Sequence, residues 1–418
     1  MDIARLEQQL DSFDPVSREQ ALLQLVAGNP LPPLSGEFNL HSHTFFSYNA
    51  YGYSPSQFAW LARKRGLFAA GIVDFDVLDG LEEFLAAGKL LGLKTTVSVE
   101  SRVFVPEFAA RVINSPGEPG IAYHMGVGFT QQVRHPFLDD MRQRAAQRTR
   151  ELLARVNAFM KPLELDFERD VVPLTPKGNV TERHLCAAYA AKGNADLFRA
   201  KLGDAPTDPA KLQNLIRAKT MKQGGVGYVQ PGKDTFPLMA DMNRCTLECG
   251  AIPTLAWLDG TSAGEQCLDE LLDVAAASGT AALAVIPDRN FTPGVKDQKL
   301  QNLYDAVAAA EKRGWPIFIG TEMNSPGNKF VDNFAAAELQ PLLPVFIKGA
   351  HIGYAHSVLQ RQAGKGYLSD WAKRNFPTVA GKNTFFEQLG RQLPPAAEDR
   401  LAGLPATIGP REVLSCLA

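Results

Sequence analysis

Glu37-Phe38-Asn39-Leu40-His41-Ser42-His43 is the stretch from which the rest of the chain reads. With Phe38 and Leu40 apolar, it reads as a short strand. Side chains on a strand alternate between faces, so His41 and His43 point the same way. Two imidazoles on one face at a strand end are a common start of a metal site, because neutral imidazole ligates zinc, iron, nickel and manganese. The bland alternative is two exposed histidines in a loop. With seven histidines in 418 residues, chance pairing counts.

Upstream, residues 1–34 read as a helical arm, with helices near 3–10 and 16–26. Gly28-Asn29-Pro30 and Pro32-Pro33 end it, since proline breaks helix. Downstream, a helix capped at Ser54-Pro55 runs to Arg65, followed by strand 68–74, helix 79–91 and strand 94–100. Strand 121–126 comes after a Pro/Gly-rich loop. Strands alternating with helices imply parallel pairing with helices outside. From 134 to 241 the rhythm breaks into helices (139–159 with arginines on its outer faces, 181–191, 195–201 and 209–221), a helical insertion. It resumes with strand 252–257, helix 263–278, strand 282–286, helix 298–313 and strand 316–320. The reading is an α/β fold, a distorted seven-stranded (β/α) barrel in two parts, 35–133 and 242–334. Helical extensions flank it at 1–34 and 335–418, and an open doubly wound sheet is the alternative.

Composition narrows the function. With 45% apolar and 21% charged residues, the core should be sizeable. A net charge of −2 argues against a nucleic-acid polymer or an anionic membrane as partner. No apolar run approaches the roughly 20 residues that span a bilayer, and residues 1–9 lack a signal-peptide core. The five cysteines are odd in number and scattered; Cys245 and Cys249 can share a helix face and read as buried thiols rather than ligands. This fits a reducing cytoplasm.

Ligand-type side chains gather at strand ends, where α/β folds place their chemistry. His41 and His43 close the first strand, Asp74 the second, Glu100 the third, and His124 lies near the end of the fourth. Asp288-Arg289-Asn290 follows the sixth and Glu322-Met323-Asn324 the seventh. Each has a plain structural reading: Asp74 or Asp76 as a helix cap, Glu322 in a surface pair, His124 as a satisfied core histidine. Six of seven strands ending this way favours a site. Histidine and carboxylate without cysteine suit zinc, manganese or iron, and open metal positions suit hydrolysis.

At these residues the chain resembles the PHP family, named for its polymerase and histidinol phosphatase domains. His41-Ser42-His43-Thr44, Ser54-Pro55, Arg65-Gly66-Leu67 and Val73-Asp74-Phe75-Asp76 are similar to its opening. Ser98-Val99-Glu100 is similar to its third motif and Tyr123-His124-Met125-Gly126 to the next. Asn179-Val180-Thr181-Glu182-Arg183-His184-Leu185 resembles the Gly-Arg-Pro-His-Leu element of insert-containing members, which are phosphoesterases of small nucleotides. The resemblance spans about residues 36–330.

The departures are as informative. Thr-Asp-His has Phe75 at its third position, an expected aspartate is Tyr48, Ala-His-Pro reads Ala256-Trp257-Leu258, and the closing Gly-Ser-Asp-x-His reads Gly320-Thr321-Glu322-Met323-Asn324. The resemblance implies one retained divalent cation on His41, His43, Glu100 and Glu322. A second, weaker site would use Glu100 and His124, and a third is lost with Tyr48, Phe75 and Asn324. Asp74 would either orient and deprotonate the attacking water or hold an imidazole. Arg289, with Arg183 and His184 from the insertion, are candidate phosphate donors, and Asn324 joins them as a substrate contact. Tyr48, Phe75 and Trp257 would leave aromatic surface where ligands stood. His351 and His356 in the tail, five residues apart, read as structural, with the tail packing on the barrel or on a second copy. The implied activity is hydrolysis of a small phosphorylated metabolite or nucleotide by metal-activated water. The alternatives are a degenerate PHP-like binder of a phosphorylated or carboxylated ligand, and a barrel lyase or amide hydrolase using the same ligands.

Overall fold

Seven strands follow one another in a single sheet in chain order: β1 (Phe38–Ser42), β2 (Ala69–Phe75), β3 (Lys94–Phe104), β4 (Ile121–Val127), β5 (Ile252–Trp257), β6 (Ala282–Val285) and β7 (Ile317–Ile319). The computed structural model describes residues 2–132, 134–292 and 294–417. The sheet curls until its edges meet. Ser42 bridges Glu322 in parallel, His43 N–H donates to the Glu322 carbonyl at 2.8 Å, and Glu322 N–H donates to the His41 carbonyl at 2.8 Å. The result is a distorted, nearly closed seven-stranded barrel of the α/β class, which removes the open doubly wound alternative.

One expectation is corrected. β4 runs antiparallel to both β3 and β5, whereas the other neighbours are parallel. A parallel return needs a long crossover, usually a helix. Residues 105–120 hold only a short 3-10 turn, so the chain leaving the extended β3 folds straight back.

The helices are α1 (Ile3–Gln9), α2 (Pro15–Gly28), α3 (Pro55–Lys64), α4 (Leu81–Leu91), α5 (Pro136–Met160), α6 (Glu182–Lys192), α7 (Ala195–Leu202), α8 (Pro209–Thr220), α9 (Met239–Glu248), α10 (Leu268–Ala277), α11 (Lys296–Lys312), α12 (Leu343–Ala363), α13 (Asp370–Asn375), α14 (Val379–Gln392) and α15 (Pro410–Ser415). Local chemistry sets their starts. The Ser54 hydroxyl accepts the Gln57 N–H at 3.0 Å with Pro55 next, and Asp208 caps α8 ahead of Pro209. α5 to α8 enclose their own apolar cluster, including Leu153, Val156, Leu185, Tyr189, Phe198 and Ile216. Asn179 ties this block to the barrel mouth by donating to the carbonyls of Phe46 (3.0 Å) and Phe75 (2.9 Å).

The C-terminal segment does not hang off the barrel; α12 closes its lower end. From Gly349 to Leu359 every residue of this helix is buried. Its Gly349 lies so close to the Ile317 carbonyl that a Cβ would collide, and Gly353 faces Phe318 and Thr96. His351 packs on Phe68 at 5.1 Å, and the Lys94 ammonium lies 5.4 Å from the Tyr354 ring. A helix apolar around its circumference is stable only when surrounded. Among the described residues, no helix is long and apolar enough to cross a membrane.

Candidate metal centre and cavity

The first strand does not run straight into the site. Its register with β2 slips between Asn39 and Ser42, a bulge that re-aims side chains. Gly71 permits the close pass, since a Cβ there would stand 2.6 Å from the Leu40 carbonyl. Asn39 locks the bulge: its carbonyl accepts the His41 N–H at 3.0 Å and its amide donates to the Thr321 hydroxyl and the Phe330 carbonyl, both at 2.8 Å.

The bulged strand brings His41 and His43 to Glu100 at the centre of β3. A Glu100 carboxylate oxygen lies 3.3 Å from His43 Nε2 and 3.8 Å from His41 Nε2. All three side chains are buried, and their ligand atoms lie within 4.8 Å of one another, as in no other such group among the described residues. Both ring nitrogens of His41 and Nε2 of His43 lack hydrogen-bond partners. Buried polar atoms normally have partners, so three orphaned imidazole nitrogens beside a carboxylate fit a cation. Burial alone would raise the Glu100 carboxyl; the two imidazoles, when they carry protons toward it, outweigh burial and hold it down at about 2. A cation in place of those protons would favour the same ionised, ligating form.

A relay sets the tautomer of His43. Asp74 accepts from the Thr44 N–H (2.8 Å), the Thr44 hydroxyl (2.7 Å) and the Ser47 hydroxyl (2.6 Å). Ser47 has one proton and gives it to Asp74. Its oxygen, 3.1 Å from His43 Nδ1, must therefore accept the ring N–H. That leaves the Nε2 lone pair bare toward Glu100. Phe75 stacks on the same ring at 4.3 Å.

The other residues singled out from the sequence divide. Glu322 lies beside the group through its backbone, but its carboxylate pairs with Arg289 at 3.3 Å. Arg289, Arg183 and Asn324 line the mouth cavity. Asp74 does not: it is wholly buried under the loop after β1, as a support for His43. His124 is turned away. Its register partner on β3 is Ser101, one residue from Glu100 and on the opposite face, and its Nε2 meets Asn243 of α9 at 2.5 Å. Burial lowers its pKa to about 4; its Nδ1 also lacks a partner, but the ring stands on the face turned from Glu100 and does not join the group. His184 also leaves the substrate set: its Nδ1 accepts the Thr181 N–H at 3.0 Å as a helix cap, and burial lowers it to about 3. Tyr48 and Phe75 form aromatic wall, while Trp257 is buried away from the cavity.

The cavity, about 680 Å³, lies between the barrel mouth and the insertion. Arg102 pairs with Glu118 at 2.9 Å, and Arg217 and Lys222 share Glu182. Arg148, Arg155 and Arg183 have no ion pair among the described residues; they donate to the carbonyls of Thr235 and Gly227 and to the side chains of Asn214 and Ser325. The sequence reading puts the arginines of this helix on its outer faces, yet Arg148 and Arg155 line the cavity. Their cavity face is legible in the spacing of Ala145, Arg148, Leu152 and Arg155. Ser47 carried no signal beyond its place in a strand-end loop. Asp76, read as a cap, lines the cavity and accepts from Ser101. Among the described residues, Asp76, Glu322 and Met323 are the non-glycine ones with left-handed backbone, and all sit at the mouth. Such conformations persist where surrounding structure enforces them, often at functional sites.

No protein-family model matches the chain, and no curated protein matches it. Solved structures do. An amidohydrolase from Chromobacterium violaceum, determined with bound sulfate and no metal, is similar over 74% of this chain and 96% of its own, at 16% identity and a TM-score of 0.52. A candidate metal-dependent phosphoesterase from Bifidobacterium adolescentis is similar over 75% and 98%, at 17% identity and a TM-score of 0.49. At such identities the amidohydrolase likeness establishes a common fold, in agreement with the barrel described above.

Proposed function

We propose that this protein is a metal-dependent hydrolase that cleaves a phosphate ester of a small metabolite or nucleotide. The observation that carries the reading is the buried His41–His43–Glu100 group, with its orphaned nitrogens, beside a cavity rich in guanidinium groups. His41 Nε2, His43 Nε2 and the Glu100 carboxylate would hold one divalent cation, in a reduced site of the PHP kind. A bound zinc, manganese or iron ion supplies Lewis acidity and lowers the pKa of water. Three protein ligands with an open position is the pattern of catalytic rather than structural zinc, and this favours catalysis over ligand binding alone.

The chain's own residues do the remaining work. Asp74, through Ser47, keeps the His43 lone pair available. Arg183 and Arg148 donate to the anionic oxygens of the substrate, as guanidinium suits phosphate. Arg289 holds Glu322 until an anion competes for it. Tyr48 and Phe75 offer aromatic faces to the rest of the substrate. The insertion roofs the site and limits water.

The test is turnover by purified protein on a panel of phosphomonoesters, mono- and bisphosphorylated nucleotides and amides, with and without a chelator. Metal-dependent phosphate release that disappears in His43→Ala supports the reading. Amide cleavage instead would move the protein to amide hydrolysis on the same ligands. Bound metal with no turnover on any substrate would leave the ligand-binding alternative.

A further inference from the structure

A second group of metal-ligand side chains lies outside the mouth, where the start of α5 meets the end of α9. Cys245 and Cys249 stand one turn apart, joined by the Cys249 N–H donating to the Cys245 carbonyl at 2.9 Å. His135, the residue before α5, places Nδ1 3.4 Å from the Cys245 sulfur. Its other nitrogen, Nε2, lies 2.9 Å from the Glu248 carboxylate. A carboxylate accepts only, so Nε2 carries the proton and Nδ1 presents its lone pair toward the Cys245 sulfur. Carboxylate–histidine–metal triads use this same arrangement to fix a ligating ring. The two thiols are buried, while the His135 ring is partly open to solvent, which gives a cation a way in.

We infer that His135, Cys245 and Cys249 form a binding site for a soft divalent cation of the zinc type, with Glu248 as the residue that orients the imidazole. Two thiolates and one imidazole are a donor set that zinc accepts, with a fourth position for water. The separation between Cys245 Sγ and His135 Nδ1 is close to the edge of a tetrahedron built on Zn–S of about 2.3 Å and Zn–N of about 2.0–2.1 Å. The ligand atoms are not yet as tightly gathered as at the barrel mouth, where all lie within 4.8 Å. The cation draws Cys249 in and replaces the 3.2 Å bond from the Phe137 N–H to Nδ1. Binding forms two metal–sulfur bonds and releases the thiol protons to solvent, with no change in oxidation state.

The full-length protein loaded with cobalt(II) tests this directly, because thiolate-to-cobalt charge transfer absorbs in the near ultraviolet and the His–carboxylate group at the mouth cannot produce it. The band should appear in the wild type and in His43→Ala and be absent from Cys245→Ser/Cys249→Ser. Glu248→Gln should weaken cobalt affinity by roughly 10-fold. No band in the wild type, or an equal band in the double variant, overturns the assignment. Should the double variant not fold, alkylation of the wild type decides. Zinc should slow modification of Cys245 and Cys249 but not of Cys267 or Cys416. Unchanged rates, or a Cys245–Cys249 disulfide that forms regardless of zinc, overturns it.

Discussion

Each end of the barrel carries a pair of histidines close in sequence, and the two pairs have opposite fates. At the mouth, His41 and His43 face a buried carboxylate and keep three ring nitrogens without partners. At the lower end, His356 is satisfied on both sides: Nε2 lies 3.2 Å from the Gly128 carbonyl, and Nδ1 accepts the Tyr367 N–H at 2.9 Å. His351 also keeps Nδ1 without a partner, but it lies on Phe68 with cations, not a carboxylate, nearby: burial first, then Lys94 and Arg391, lowers it to about 4. Spacing along the chain does not distinguish a ligand from a core residue. The sign of the charge that the fold brings against the ring does.

The largest expected effect separates the two pairs. His43→Ala should abolish metal uptake at the mouth and with it turnover, with little change in thermal midpoint. His356→Ala should leave metal content unchanged and cost about 1–3 kcal/mol of stability, since it strands the Tyr367 N–H in a buried setting. Metal titration and urea unfolding of both variants check the contrast; equal loss of metal in both would break it.

Asp74→Asn comes next. It should weaken metal affinity by roughly 10–100-fold, the usual effect of losing an outer partner of a ligand, because Ser47 no longer has a full carboxylate to hold its proton. An unchanged dissociation constant would show that the relay does not set the tautomer. At the lower end, Gly349→Ala should cost about 1–3 kcal/mol by overpacking α12 against β7, measured by denaturant unfolding, and leave metal binding intact.

Acid should act on the buried neutral histidines, His356 among them, before it reaches Glu100. Burial lowers His356 from 6.5 to about 4. The unfolded chain thus binds this proton more readily, and the stability contribution is present above 6.5 and lost as pH falls from 6.5 through 4. In metal-free protein, Glu100 is lowered from 4.5 to about 2, so its contribution is present above 4.5 and lost only as pH falls from there through 2. Urea unfolding between pH 7 and 5 should therefore show a decline shared by the buried histidines His124, His184, His351 and His356, which His356→Asn reduces by its share and Glu100→Gln leaves unchanged.

Much of this architecture was legible in residue periodicity. Strand β5 and the cores of the other six follow from apolar runs bounded by turn residues, and the histidine pair follows from the strand-end pattern, whereas Glu100, read as ending its strand, lies within a β3 that runs on to Phe104. Strand direction was not legible. The short return between β3 and β4 looks like any loop in sequence, yet it reverses β4, and the face of that strand on which His124 sits depends on its pairing with β3. α12 was read as a tail because an all-round apolar helix declares that it is buried without declaring where. The bond between Glu322 and Arg289 joins residues 33 apart in sequence and depends on two strand-end loops meeting.

The central claim is that His41, His43 and Glu100 hold a metal at the barrel mouth. Anomalous diffraction from crystals grown with zinc or manganese tests it most directly. The account predicts a peak within bonding distance of His41 Nε2, His43 Nε2 and a Glu100 oxygen, with His124 still turned to Asn243. A well-ordered mouth with no peak between these three side chains, at metal concentrations that load known binders, would contradict it.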